Sequence, residues 1–316
     1  MQQQAMYTMS AAPMPITMPA AYTSSGEPVL IPAKLCNLPP FHPVASKLIS
    51  LSGEAAADVP NIVKIVSGDP ALAAEILFLA NSSLFCFPTK IQTLRHAVAV
   101  LGVDCIRQLA MTVAIRTLAR GTGSMVRSCW RHSMACAVIA EAAAPIVGCT
   151  PEQAYAAGLL HDVGRLGFLR TYPSEVTSVL GGEYANAAEV IAAERAIIKF
   201  SHEDAGAWLM EYWTLPETFA ETCQHHHDEI TEADSPMLRA VKFACRLANT
   251  MGYTAPKYKG RLTFNAVLDA NLPQNTPTPF PTEAAMRSDI EARLQAFDPS
   301  RRSVPATAMP EYRRIA

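Results

Sequence analysis

The sequence predicts an all-α protein, and three observations carry that expectation. Glycine is scarce, at 15 of 316 residues, and aromatic residues make up only 7 %. Alanine, leucine and methionine are plentiful, which favours helices over a sandwich or barrel rich in turns and β-branched residues. Apolar residues recur at helical steps through most of the chain. Half of the residues are hydrophobic and 17 % are charged, so a sizeable core is within reach. The length suits one large domain or two smaller ones.

Residues 1–34 are rich in Met, Pro, Thr, Ser and Ala, show no period, and read as a disordered leader. A first helical block covers 35–122. Asp69-Pro70 opens one of its helices: the carboxylate caps free amides, and proline sits where its missing N–H costs nothing. Leu72, Ile76, Leu79 and Ala80 line one face, and Asn81-Ser82-Ser83 ends it. Another helix starts near Leu94, Gly102 interrupts, and a further one carries Ile106, Leu109, Val113 and Ile115. Gly121 and Gly123 form a hinge. A second block covers 123–255, and its last helix opens at Ser235-Pro236 and closes at Gly252. Pro273, Pro277, Pro279 and Pro281 mark a linker over 256–281. An amphipathic helix over 282–298 follows, with Thr282 as cap and Met286, Ile290, Leu294 and Phe297 on one face. Residues 299–316 read as a frayed tail.

Charge and cysteine usage narrow the classes. A net charge of −2 argues against nucleic-acid binding by bulk basicity. The longest apolar stretch, Met134 to Cys149, carries Glu141 and Pro145 and falls short of the ~20 apolar residues of a membrane span. No membrane partner is expected. The eight cysteines include no CxxC pair, so neither a zinc ribbon nor a redox motif is present. The N-terminus has no Lys or Arg before Lys34, unlike a secretory signal. A reduced, cytoplasmic protein is the expectation.

The residues that carry chemistry are histidines. His161-Asp162 lies in AYAAGLLHDVGRLGFL, His132 in CWRHSMACAVIAE, His202 in FSHEDAGAWLMEYW, and His225, His226 and His227 in CQHHHDE. Imidazole and carboxylate suit divalent cations. A His-Asp pair inside an apolar helix needs a metal or hydrogen bonds to offset its burial. No pair of histidines has the HExxH spacing, so any site is assembled from several helices. Neighbours on a helix differ by about 100° in direction, so the three consecutive histidines cannot all face one ion. His202, just before Glu203 and Asp204, reads as a helix-start residue. Trp208 and Trp213 read as packing, and Arg95, His96 and Arg107 as a solvated face.

In this order, these residues resemble the HD superfamily of metal-dependent phosphohydrolases, and more closely its HDOD branch, the HD-related output domain. LPPFHPVASKLISL from Leu38 resembles that branch's opening helix. The block from Ser67 to Ala110, beginning SGDPALAAEILFLANSS, resembles its most specific segment. CWRHSMACAVIA, AAGLLHDVGRL and SHEDAGAWLMEYWTLPE continue in order. The resemblance covers about residues 35–255. It implies a two-lobed helical fold, an N-terminal helical bundle beside an HD-like bundle. It also implies a bacterial signalling or regulatory module, with receiver or cyclic-dinucleotide proteins as partners by analogy.

Carried over by the resemblance, the first metal ligands fall on His132, His161 and Asp162. The late Asp falls within VKFACRLAN, where this chain has Cys245, and no acidic residue occurs between Asp234 and Asp269. Leu238, Val241, Cys245 and Ala248 share an apolar face, so Cys245 points inward. Loss of that anionic oxygen should weaken hard-ion binding, leaving no cofactor or a weakly bound divalent metal. The primary expectation is a non-catalytic adaptor. The alternative is a phosphohydrolase acting on a nucleotide or cyclic dinucleotide. There His202 and His226 would hold a second ion, and Asp162 and Arg165 would be working groups, Arg165 at the phosphate.

Overall fold

Helix follows helix along the chain. The computed structural model describes residues 34–51, 58–119, 123–260, 262–273 and 278–298, with two short strands at 21–22 and 28–29. Those strands, Ala21–Tyr22 (β1) and Pro28–Val29 (β2), pair antiparallel inside the stretch read as a structureless leader. The rest of 1–33 lies outside the described residues, as do Gly121 of the hinge, Pro277 of the linker and the tail from 299.

The first lobe comprises Pro43–Ser50 (α1), Val59–Ser67 (α2), Pro70–Ala80 (α3), Leu94–Leu101 (α4) and Val103–Leu118 (α5). Asp69 Oδ1 accepts from the amides of Ala71 and Leu72 at 2.9 and 3.0 Å, which satisfies two free donors at the start of α3. Gly102, at φ +84°, turns α4 into α5 through 115°. Helix α5 is buried along most of its length because it packs on α1, α3 and α4 and also reaches the second lobe. Arg116 of α5 donates to Glu75 of α3 at 2.6 Å, with both side chains sealed from solvent.

The second lobe comprises Ser124–Val147 (α6), Pro151–Leu160 (α7), Val163–Thr171 (α8), Pro173–Leu180 (α9), Ala187–Ile197 (α10), His202–Tyr212 (α11), Glu217–His225 (α12) and Pro236–Thr250 (α13). Helix α6 is its hub and packs along α7 and α13. Ala135, Cys136, Ala137, Ala140, Ala143 and Ala144 are buried on it, and short side chains let helix axes approach closely. Glycine sets the two tightest seams. A Cβ on Gly158 of α7 would sit 2.7 Å from the carbonyl of Cys136, and one on Gly164 of α8 would overlap the carbonyl of His202. These seams bring the end of α7 and the start of α11 toward one centre.

A plain Pro-rich linker over 256–281 is corrected by the structure. Lys257–Tyr258 (β4) pairs parallel with Glu183–Tyr184 (β3). Phe264–Asn271 (α14) then packs on α13, with Thr263 Oγ1 accepting from the Ala266 amide at 3.2 Å. Eight residues with Phe264 and Val267 buried suffice for a docked helix, and Pro273 follows it rather than breaking it. Glu283–Ala296 (α15) is capped by Thr282 and buries Met286, Ile290 and Leu294, packing on α6. No single described helix is long and apolar enough to cross a membrane. The pair α4 and α5 passes jointly by length and composition, but it is bent and α5 is core.

Gly164→Ala should lower the free energy of unfolding by about 1–3 kcal/mol, because backbone faces the new methyl and cannot yield. Gly148→Ala has open space but φ +85°, and should cost about 1 kcal/mol through backbone strain alone. Urea unfolding of both variants checks the order, which reverses if the α8–α11 seam is loose.

A buried histidine and cysteine centre

Five helices and the segment that follows α12 meet at the centre of the second lobe. Helix α6 supplies His132 and Cys136, four residues apart and so on one face. The end of α7 supplies His161, and Asp162 caps α8, which carries Arg165. His202 is the first residue of α11, while His226 and His227 follow α12 and Cys245 lies on α13. All are buried except His227, which is partly exposed.

His132, Cys136, His161 and Cys245 form a first cluster, their donor atoms all within 4.8 Å of one another. His132 Nε2 lies 3.3 Å from His161 Nε2, 3.6 Å from Cys136 Sγ and 3.7 Å from Cys245 Sγ. The other ring nitrogens are committed outward. His132 Nδ1 donates to the Tyr253 carbonyl and His161 Nδ1 to the Gly158 carbonyl, each at 2.7 Å. Of the two thiols, Cys245 is held well below the ordinary range by a hydrogen bond from Cys136, with His227, His132 and His161 assisting against burial. Cys136 is correspondingly raised, chiefly by burial. Burial opposes protonation of His132, but contacts with Cys245 raise it overall.

Asp162 is in neither cluster of donors. Its Oδ2 accepts from Arg165 Nη1 at 2.8 Å, and Arg165 Nε lies 3.5 Å from Glu194 Oε1, an ionic contact beyond hydrogen-bond geometry. Glu194 accepts from His202 twice, from Nδ1 at 2.5 Å and from the amide at 2.9 Å. Burial disfavours the Asp162 carboxylate, but Arg165, His202, His161 and His132 outweigh it and hold the group at about 2. Arg165 is 1 % exposed and enclosed by these carboxylates, so the side chain expected at a phosphate instead anchors the core.

His202, His226 and His227 form a second cluster. His226 Nδ1 donates to the Cys223 carbonyl at 2.9 Å. Among the described residues, Nε2 of all three rings lacks a hydrogen-bond partner. Burial and the neighbouring histidines hold His226 and His227 below the ordinary range, so their rings are neutral bases. The cluster faces a cavity of about 620 Å³ whose lining includes His226, His227, Cys245, Arg246, Asn249 and Tyr258. Either cluster offers donors suited to a metal ion.

The structure thus brings His132 with His161, and His202 with His226, and sets Asp162 beside them, its Oδ1 without a hydrogen-bond partner and 3.7 Å from His202 Nε2. Two donors escaped the sequence reading. Cys136 was marked by its i+4 relation to His132, a signal hidden by attention to histidine pairs alone. His227 was indistinguishable from its neighbours, and His225 proves to be the surface member, paired with Asp228 at 2.8 Å. The helix-start role expected of His202 is corrected. Ser201 is the cap, forming a capping box with Asp204, and His202 points into the core.

The HDOD domain family matches residues 38–229. An uncharacterized protein of Treponema pallidum (strain Nichols) is 24 % identical over 188 residues, which is 58 % of this chain and 37 % of that protein. The chain therefore spans little more than a third of this curated relative. Among solved structures, an HDOD domain protein of unknown function from Geobacter sulfurreducens superposes with TM-score 0.58 at 24 % identity, covering 84 % of this chain and 83 % of the other. A provisionally named phosphohydrolase from Shewanella amazonensis SB2B gives 0.60 at 18 %, covering 84 % and 94 %. A provisionally named signal transduction protein from Marinobacter aquaeolei VT8 gives 0.59 at 22 %, covering 86 % and 60 %. At these identities the structures establish the fold.

Asp162→Asn should destabilise the protein by about 3–5 kcal/mol at neutral pH, because it leaves the buried Arg165 charge undermatched. The native carboxyl sits at about 2 against an ordinary 3.8, so this contribution is complete above about pH 4 and is lost as pH falls toward 2. Unfolding of wild type and variant across that range should therefore show a difference that shrinks with acid.

Proposed function

The chain belongs to the HDOD family, and from that premise we propose that it is a non-catalytic signalling adaptor acting in the cytoplasm through protein–protein contacts. One observation carries this reading: the late carboxylate that the family's hydrolytic centre uses is replaced by Cys245, and Arg165 already takes one of the two oxygens of Asp162. The resemblance implies a site of two histidines and two aspartates, and at Cys245 a thiol stands where the second carboxylate would be. The role in signalling then falls to surfaces, and receiver or cyclic-dinucleotide proteins are the partners the family suggests. No nucleic acid or membrane enters this reading.

A second reading, a phosphohydrolase acting on a nucleotide or cyclic dinucleotide, is favoured by the cavity itself. Two imidazoles with unpartnered Nε2 atoms, His226 and His227, border about 620 Å³, enough for a nucleotide. Tag-free protein supplied with Mn, Fe, Mg or Zn and a panel of phosphodiesters separates the two. The adaptor reading expects no turnover above that of His161→Ala. Metal-dependent hydrolysis abolished by His161→Ala would overturn it.

A further inference from the structure

We propose that His132, Cys136, His161 and Cys245 form a closed, four-coordinate zinc site, a Cys2His2 clamp where relatives of the hydrolase type hold a catalytic ion. The proposal goes beyond the adaptor reading and does not rest on it.

Three of the six edges of the donor set, all from His132 Nε2, match those of a tetrahedron around a small ion. Zinc binds imidazole nitrogen at about 2.0–2.1 Å and thiolate at about 2.3 Å, so tetrahedral edges are about 3.3 Å between nitrogens and about 3.6 Å between nitrogen and sulfur. The nitrogen pair stands at 3.3 Å and the two nitrogen–sulfur edges at 3.6 and 3.7 Å. All four donors fit within 4.8 Å.

The tautomers point the same way. Both Nδ1 atoms donate to backbone carbonyls, so in the neutral rings both Nε2 atoms carry lone pairs. At 3.3 Å in a buried site such lone pairs need something positive between them, a proton or a metal ion, and the two sulfurs beside them suit the metal. The carbonyls of Tyr253 and Gly158 are also the supports that orient histidine ligands of a metal. The four side chains are at most 1 % exposed, and the set is full at four, leaving no open position for water or substrate. Thiolates select zinc over magnesium or manganese. The ion would join α6, the end of α7 and α13, segments 109 residues apart at the extremes of Cys136 and Cys245. The three-histidine cluster adjoins it, with His227 Nδ1 3.9 Å from Cys245 Sγ, and shares no donor with it.

The test is metal content and cobalt spectroscopy on tag-free, full-length protein reconstituted without oxygen. The expected result is about one zinc per chain, releasing protons from the thiols as it binds. The cobalt form should show thiolate-to-cobalt charge transfer and the strong visible bands of a tetrahedral ion. Cys136→Ser and Cys245→Ser should each weaken zinc binding by on the order of 100-fold or more, beyond the loss of a supporting hydrogen bond. The wild-type spectrum decides the matter even if a variant fails to fold. Protein that takes up neither ion overturns the proposal, since thiol-to-imidazole hydrogen bonds would then account for the distances. So does a cobalt form without the thiolate band, or zinc that survives both serine variants and is lost with His227→Ala. Turnover is read in a separate assay, so the adaptor reading can fail while the clamp stands, and the reverse.

Discussion

A guanidinium with almost no access to water governs the second lobe. Removing Arg165 from solvent costs several kcal/mol unless opposite charge and hydrogen bonds surround it. Asp162 and Glu194 supply that charge, and Glu194 also grips the side chain and amide of His202. One charge thus fixes the start of α8, helix α10 and the start of α11 relative to one another. The same arrangement engages one oxygen of the aspartate of the His-Asp pair as a counter-ion and leaves the other facing His202.

Close backbone packing places everything else. Gly158 lets α7 lie against α6 at Cys136, and Gly164 lets α8 lie against α11 at His202. A protein interior is dense enough that one methyl at either seam displaces a helix. Backbone carbonyls then aim the rings: Tyr253 and Gly158 turn His132 and His161 so that their Nε2 atoms face each other and the two sulfurs. The first cluster is consequently buried, with two thiols among its four donors.

The open space lies to one side, and it is made by segments beyond the family match, which ends at 229. Helix α13, strand β4 and helix α14 wall the cavity over His226 and His227. Strand β4 is tied back to the α9–α10 connection by pairing with β3 and by the Lys259 amide donating to Tyr184 at 2.8 Å. The C-terminal elements therefore complete a pocket beside the bundle.

By itself the sequence determined what local physics and ordered motifs can specify. Asp69, Ser235 and Thr282 read as caps and act as caps, since capping involves neighbours within three residues. The apolar period marks helices, and several segments in order mark the family. The sequence also placed Cys245 on an inward face. Tertiary structure alone decided which donors meet. Cys245 reaches the imidazole of His132, 113 residues away, only because α6 and α13 pack side by side. Arg165 is a counter-ion only because Glu194 approaches from another helix, and helix α14 forms only because α13 offers Phe264 and Val267 somewhere to bury. Capping and periodicity act over a turn or two of chain, whereas burial and charge pairing act across space.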